Sequence, residues 1–116
     1  MIKAIIGYNI VPGITHEEYD QWLWQIHVPD ILANPYIEKI VFNTVLQPVE
    51  RTSSDAARVE NGMTFYRIAE MHFQSFEAYE AYRAWFKTHP IPIERGPKGR
   101  TDFKFYLLCE VVEVSR

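Results

Sequence analysis

A chain of 116 residues with 47% hydrophobic and 15% aromatic side chains is one packed domain, residues 1–116, and not a disordered segment. Twelve basic residues against fifteen acidic ones leave a net charge of −3, which excludes a broad nucleic-acid-binding face. The single cysteine, Cys109, rules out an internal disulfide; no apolar run reaches the ~18–20 residues of a membrane span, and no signal-peptide pattern opens the chain, so the expectation is a cytoplasmic protein with no membrane partner.

The chain opens with "KAIIGYNIV", a β-branched, apolar stretch that Pro12-Gly13 stops, as expected for a strand and a turn. In "THEE", Thr15 is placed to cap a helix while Glu18 reaches back to the cap amide. At about 100° per residue, Tyr19, Trp22, Leu23 and Ile26 share one face of that helix. Pro29 lacks the amide that would bond to the Gln25 carbonyl, so the helix is expected to end or kink near His27. Proline also suits a first helical position, and a short extra turn can begin there. "YIEKIVFNTVLQ" is a second strand, ended by Pro48. The polar stretch 48–62 reads as a long, mobile connection. "MTFYRIAEMHF" is a third strand, after which Ser75 caps an amphipathic helix. That helix places Phe76, Tyr79, Tyr82 and Phe86 on one side and Glu80, Arg83 and Lys87 on the other. A second long loop, 89–102, carries three prolines and two glycines, a mix suited to a mobile lid. "FKFYLLCEVVEV" closes the chain as a fourth strand.

The order β-α-β-β-α-β predicts an α+β, ferredoxin-like fold: a four-stranded antiparallel sheet with two helices on one face. Strict alternation puts Phe103, Phe105, Leu107 and Val111 on one side of the last strand and Tyr106, Leu108, Val112 and Val114 on the other. Both sides are apolar, as they are in the first strand, where Ile5 opposes Ile2, Ala4, Ile6 and Tyr8. A wet sheet face would alternate polar and apolar. A homodimer with the two sheets packed together accounts for the second apolar face. Trp24, which points off the stripe of its own helix, adds a hint in the same direction.

Tyr19, Trp22, Leu23, His27 and Pro29, spaced Y-x-x-W-L-x-x-x-H-x-P, resemble the first-helix motif of the EthD-like family, part of the dimeric α/β-barrel superfamily. The "T-x-E-E" helix opening, "FQSFEAYEAY" after the third strand and "TDFKFYL" entering the fourth agree. The last of these, with the chain length, looks most like the RedY-like branch of prodigiosin-type pigment pathways. Leu23 stands where the family commonly has a second aromatic. The resemblance implies a homodimer, each protomer with a cleft between sheet and helices that takes small aromatic or polyketide-like molecules. It implies no metal or flavin cofactor.

Several polar residues compete for a role in that cleft. His27, about 80° around the helix from Tyr19, falls at the border of the apolar stripe. A helix C-terminus favours its charged form and burial opposes it, a balance suited to a general acid or base; the bland alternative is a structural hydrogen bond at the helix break. His89 follows the second helix at the edge of its aromatic face, as a second catalytic candidate or as a helix-end cap. Tyr8, Asn43, Tyr66 and Arg67 are polar positions inside apolar strands and need partners, whether protein, water or ligand. Tyr66 and Arg67 are adjacent and so are expected to face opposite sides of the sheet, at most one of them lining the cleft. Trp22 joins these four as a candidate substrate contact. His72 reads as a cross-strand surface or interface group and His16 as solvated. Arg95, Lys98 and Arg100 are either a basic trio for an anionic ligand or a solvated loop. No metal-binding spacing is present, and Cys109 reads as core.

Three readings follow. The first is a small cofactor-independent enzyme of secondary metabolism, binding an aromatic or pyrrolic intermediate while His27 moves a proton during cyclisation, isomerisation or condensation. The second is a non-catalytic carrier for such an intermediate. The third is a cofactor-free monooxygenase whose substrate itself activates oxygen.

Overall fold

The computed structural model describes residues 1–47 and 64–116. The polar connection expected over 48–62 lies outside the described residues. Four strands, β1 (Ile2–Ile10), β2 (Lys39–Thr44), β3 (Arg67–Phe73) and β4 (Thr101–Glu110), form one antiparallel sheet in the order β2-β3-β1-β4. Helices α1 (His16–Trp22), α2 (Val28–Leu32) and α3 (Phe76–Thr88) complete the ferredoxin-like α+β order.

The first helix starts as its sequence requires. The Thr15 hydroxyl accepts the Glu18 amide at 3.1 Å, and Glu18 Oε1 accepts the Thr15 amide at 3.4 Å, which satisfies two of the helix's free donors. Glu17 and Glu18 in the first turn favour the dipole. Tyr19 and Trp22 are buried against the sheet, with Leu23 directly after them.

The expected break near His27 takes a specific form. Residues Leu23–His27 make a π turn, closed by the Val28 amide donating to the Leu23 carbonyl, and the chain stays helical through Pro29 into α2. Proline cannot supply the next α-type bond, so the widened turn carries the helix past it. A wider turn advances fewer degrees per residue. His27 therefore swings back from the border of the stripe toward the side of Tyr19 and Trp22.

Ala4, Ile6 and Tyr8 of β1, with Ala69, Met71 and Phe73 of β3, bury the sheet face that meets the helices. Phe73 stacks edge-on with Tyr79 and Tyr82 of α3, at centroid distances of 5.3 and 4.9 Å. Asn34, after α2, is buried; its side-chain amide donates to the Tyr82 carbonyl at 2.9 Å and accepts the Tyr36 amide at 3.0 Å. That residue ties the end of α2 to α3.

β4 departs from strict alternation. Gly7 pairs with Phe105 but Tyr8 pairs with Phe103, a bulge at Lys104. Phe103 is thereby moved to the helix side with Tyr106 and Leu108, not to the side of Phe105 and Leu107 as alternation alone predicts. The Phe105 ring covers Gly7 and leaves no room there for a Cβ.

The sheet face away from the helices is less uniformly apolar than strands one and four predict. Ile5, Val41, Ile68, Phe105 and Leu107 lie on it. Lys3 pairs there with Glu70 at 2.9 Å, and Glu70 also bonds to His72 at 3.1 Å and Asn43 at 2.9 Å. A polar ribbon thus crosses an apolar field. His72, expected as a cross-strand group at the surface or an interface, is buried on this face, and its ring bonds to Glu70 two residues along the same strand.

Candidate functional site

Between α1, the π turn and the sheet lies a cavity of about 60 Å³. Its walls are apolar: Ile6, Leu23, Val28, Ile40, Phe42, Ala69, Met71 and Phe103. Three polar side chains besides His27 enter it, namely Tyr8, Tyr19 and Thr101. The volume holds a few water molecules, and Phe103, about half-exposed (47%) at the sheet edge, stands at its mouth.

His27 enters this cavity from the end of the π turn. Trp22 stacks on its ring, with centroids 4.7 Å apart and planes 17° apart. The indole is held in turn by its Nε1–H, which donates to the Arg95 carbonyl at 2.9 Å. His27 Nδ1 is buried with no hydrogen-bond partner. Burial lowers the pKa of the imidazole, Arg100 nearby adds to that, and Asp30 partly opposes it. The ring is therefore neutral at neutral pH, and with its proton on Nε2 it presents a lone pair at Nδ1. Trp22, expected as a substrate contact, is the platform under His27 and not a wall of the cavity.

Tyr8 enters from β1. It is almost fully buried, and its hydroxyl meets no hydrogen bond of full geometry, although Arg67 and Tyr19 both stand within donating reach of it. Burial raises the phenol's pKa more than Arg67 lowers it. The hydroxyl of Tyr19 is used, bonding to Thr101 Oγ1 at 2.9 Å. Neither Tyr19 nor Thr101 stands out as polar chemistry in the sequence, because they meet only across the first helix and the last strand.

The other expected site residues are placed elsewhere. Arg67 is buried and forms a two-point pair with Asp20 at 2.6 and 3.1 Å, while its Nε–H donates to Thr44 Oγ1 at 3.0 Å. Tyr66 donates to the same Asp20 at 3.0 Å. The two neighbours reach one partner because β3 begins only at Arg67. The Tyr66 amide is turned to the Tyr8 carbonyl and Asn9 Oδ1, so period-two alternation has not yet started. The expectation that they face opposite sides is corrected. Together with Trp24, whose ring Arg67 approaches at 5.3 Å, they clamp α1 to the sheet beside the cavity. Asn43 lies on the opposite sheet face, bonded to the Ile68 carbonyl and Glu70, and takes no part in the cleft.

His89 is not brought near His27. Its Nδ1 bonds to the Trp85 carbonyl at 3.0 Å and Thr88 Oγ1 at 2.9 Å, and its ring stacks on Trp85 at 4.1 Å. It caps α3 beside a separate surface groove of about 160 Å³ lined by Asp30 and Arg95 among others. The loop 89–102 is strapped down at several points. Arg95 forms a two-point pair with Asp30, both bonds 2.9 Å, and Arg100 donates to the Glu94 and Gly96 carbonyls at 3.1 and 2.8 Å. Of the basic trio, two residues thus hold the loop itself. Among the described residues, no three His, Cys, Asp or Glu side chains come together as a metal site, and no helix is long and apolar enough to cross a membrane.

The EthD domain model matches residues 11–90, a span that includes the whole first-helix motif. The chain belongs to the EthD family. The crystal structure of At3g17210 from Arabidopsis thaliana matches this EthD-family chain with a TM-score of 0.64 at 16% identity, covering 100% of both chains. That of HapK from Hahella chejuensis matches with a TM-score of 0.59 at 6% identity, over 100% of this chain and 97% of that one. At such identities the likeness is one of fold. No curated protein sequence matches the chain.

Proposed function

We propose that this EthD-family protein acts in secondary metabolism, binding a small aromatic or pyrrolic intermediate in the cavity while His27 moves a proton on it. The carrying observation is His27 Nδ1, buried, without a partner and set in an apolar wall. A neutral imidazole in that setting is a general base near neutral pH. The reaction class is cyclisation, isomerisation or condensation, and it asks for no metal or cofactor. The RedY-like resemblance of "TDFKFYL" supports an intermediate of a prodigiosin-type pigment or polyketide pathway. The protein is proposed to work as a cytoplasmic homodimer.

The test is substitution of His27 in the full chain, with turnover of pathway intermediates as the readout. His27→Ala is expected to keep the fold and to lower turnover by about 100- to 10,000-fold, the usual cost of losing a general base. His27→Gln keeps hydrogen bonding but cannot shuttle a proton. Turnover restored by glutamine would make His27 a positioning group, and tight binding without turnover in the wild type would make the protein a carrier.

A further inference from the structure

Two polar atoms of the cavity side chains are buried with bonding capacity to spare: His27 Nδ1 at the end of the π turn, without a partner, and Tyr8 Oη on β1, which Arg67 and Tyr19 reach as donors and whose own O–H has no acceptor. A third polar group, the Tyr19 hydroxyl, is already taken by Thr101. Leaving a buried polar group unpaired is costly, and native proteins do so rarely. Two such side chains lining one small apolar cavity from opposite layers mark where a ligand's own polar atoms belong. Their chemistries are complementary. The Tyr8 phenol, kept protonated by burial, donates a hydrogen bond; the neutral imidazole accepts a proton.

The cavity also says what the ligand is not. No side chain lining it carries a formal charge while His27 is neutral. Of the nearby cations, Arg67 is paired with Asp20, and Arg100, bonded to two loop carbonyls and lying over Trp22, is outside the lining. A carboxylate or phosphate would be buried there without a counter-charge in the cavity wall, which ion desolvation makes costly. The ligand that fits is neutral, with a hydrogen-bond acceptor for Tyr8 and an acidic hydrogen for His27.

Building on the His27 reading above, we propose that Tyr8 is a second catalytic residue and that the substrate is a neutral, enolisable carbonyl compound. Tyr8 O–H donates to the carbonyl oxygen, and His27 Nδ1 removes a proton from the adjacent carbon. The electron pair of that C–H bond becomes the C=C bond of the enolate. The carbonyl π pair moves onto oxygen, where the Tyr8 hydrogen bond strengthens as charge develops. The imidazolium then returns its proton to the enolate oxygen or to another carbon of a conjugated system, giving the enol or the shifted isomer. No electrons are gained or lost, and no co-reactant is needed. The carbonyl end of the molecule enters the cavity, and its ring rests toward Phe103 at the mouth.

The probe is 2-indanone, whose α-hydrogens are acidic and whose exchange with D₂O is followed by proton NMR. The full-length protein is expected to accelerate exchange over buffer. Tyr8→Phe, which deletes one oxygen atom, is expected to lower the rate by about 100-fold, and His27→Gln to lower it as well. Binding of indane, which lacks the carbonyl, is expected to be the same in wild type and Tyr8→Phe, showing the cavity intact, whereas 2-indanone binding weakens. Exchange that survives Tyr8→Phe but not His27→Gln would overturn the role of Tyr8 and leave His27 standing. Exchange that survives His27→Gln removes the reading beneath both. A wild type no faster than buffer overturns the carbonyl assignment.

Discussion

His27 is where chemistry and pH meet. Burial lowers its pKa in the fold, while the unfolded chain keeps the ordinary value of about 6.5. Between those two values the unfolded chain binds more protons than the folded one, so stability rises with pH across that window. It is complete above the unfolded value and falls as pH drops toward the folded one. Thermal unfolding of wild type between about pH 5 and 7.5 is therefore expected to show an acid-side loss that His27→Gln lacks. An equal slope in both proteins would mean that His27 is solvated. The acid limb of kcat/KM is expected below the ordinary histidine range for the same reason. Acidic groups held down by partners, such as Asp20 by Arg67 and Glu70 by Lys3, add their own losses only at lower pH. The H-x-P spacing alone singles out His27, and Tyr8 stands out as a polar residue in an apolar strand. Asn43 stands out by the same rule and belongs to the other face, because the rule detects a need for a partner and not the side on which the partner lies. Tyr19 and Thr101, 82 residues apart, look like ordinary core and strand residues until the fold joins them.

At the scale of elements, the π turn sets the site. Proline at position 29 denies the helix an α-type bond, and the five-residue turn delivers the imidazole into the cavity. Pro29→Ala restores the missing amide and lets the turn relax toward α geometry. Stability is expected to hold or rise, while His27 rotates toward the border of the stripe. Exchange of 2-indanone should then fall on the order of 100-fold, the scale of a small displacement of a catalytic group. If the His27 ring resonances and the exchange rate both stay unchanged, the packing of Trp22 and Leu23 holds the turn open and proline is incidental. A break at Pro29 was legible from local chemistry; its form was not, since a helix ends, kinks or widens according to what packs on it. The bulge at Lys104 was hidden for a related reason. Both faces of β4 are apolar, so a shift of register leaves no trace in the hydrophobic pattern.

For the whole molecule, element order alone leads to the ferredoxin-like fold, because two successive β-α-β units leave few other arrangements. Whether the outer sheet face is covered is a matter for solution measurement. Ile5, Phe105 and Leu107 lie there beside the Lys3–Glu70–His72 ribbon, and Leu107 is more than half-exposed (57%). Sedimentation at micromolar concentration is expected to give a species of about twice 13.7 kDa, from an interface of roughly 800 Å² per partner or more. A stable monomer would leave that face to solvent and refute the paired-sheet assembly. The strand order has one more consequence, for how the chain is made. β1 lies between β3 and β4, with Ile2 opposite Phe73 on one side and Glu110 on the other, and the Val111 amide reaches back to the Met1 carbonyl. β1, the first strand of this domain, is thus flanked on its second side only once β4 has been made, about ninety residues later in the domain. Closure of the sheet therefore waits on a long-range contact, and a domain shortened before β4 leaves one edge of β1 open to the wrong partner.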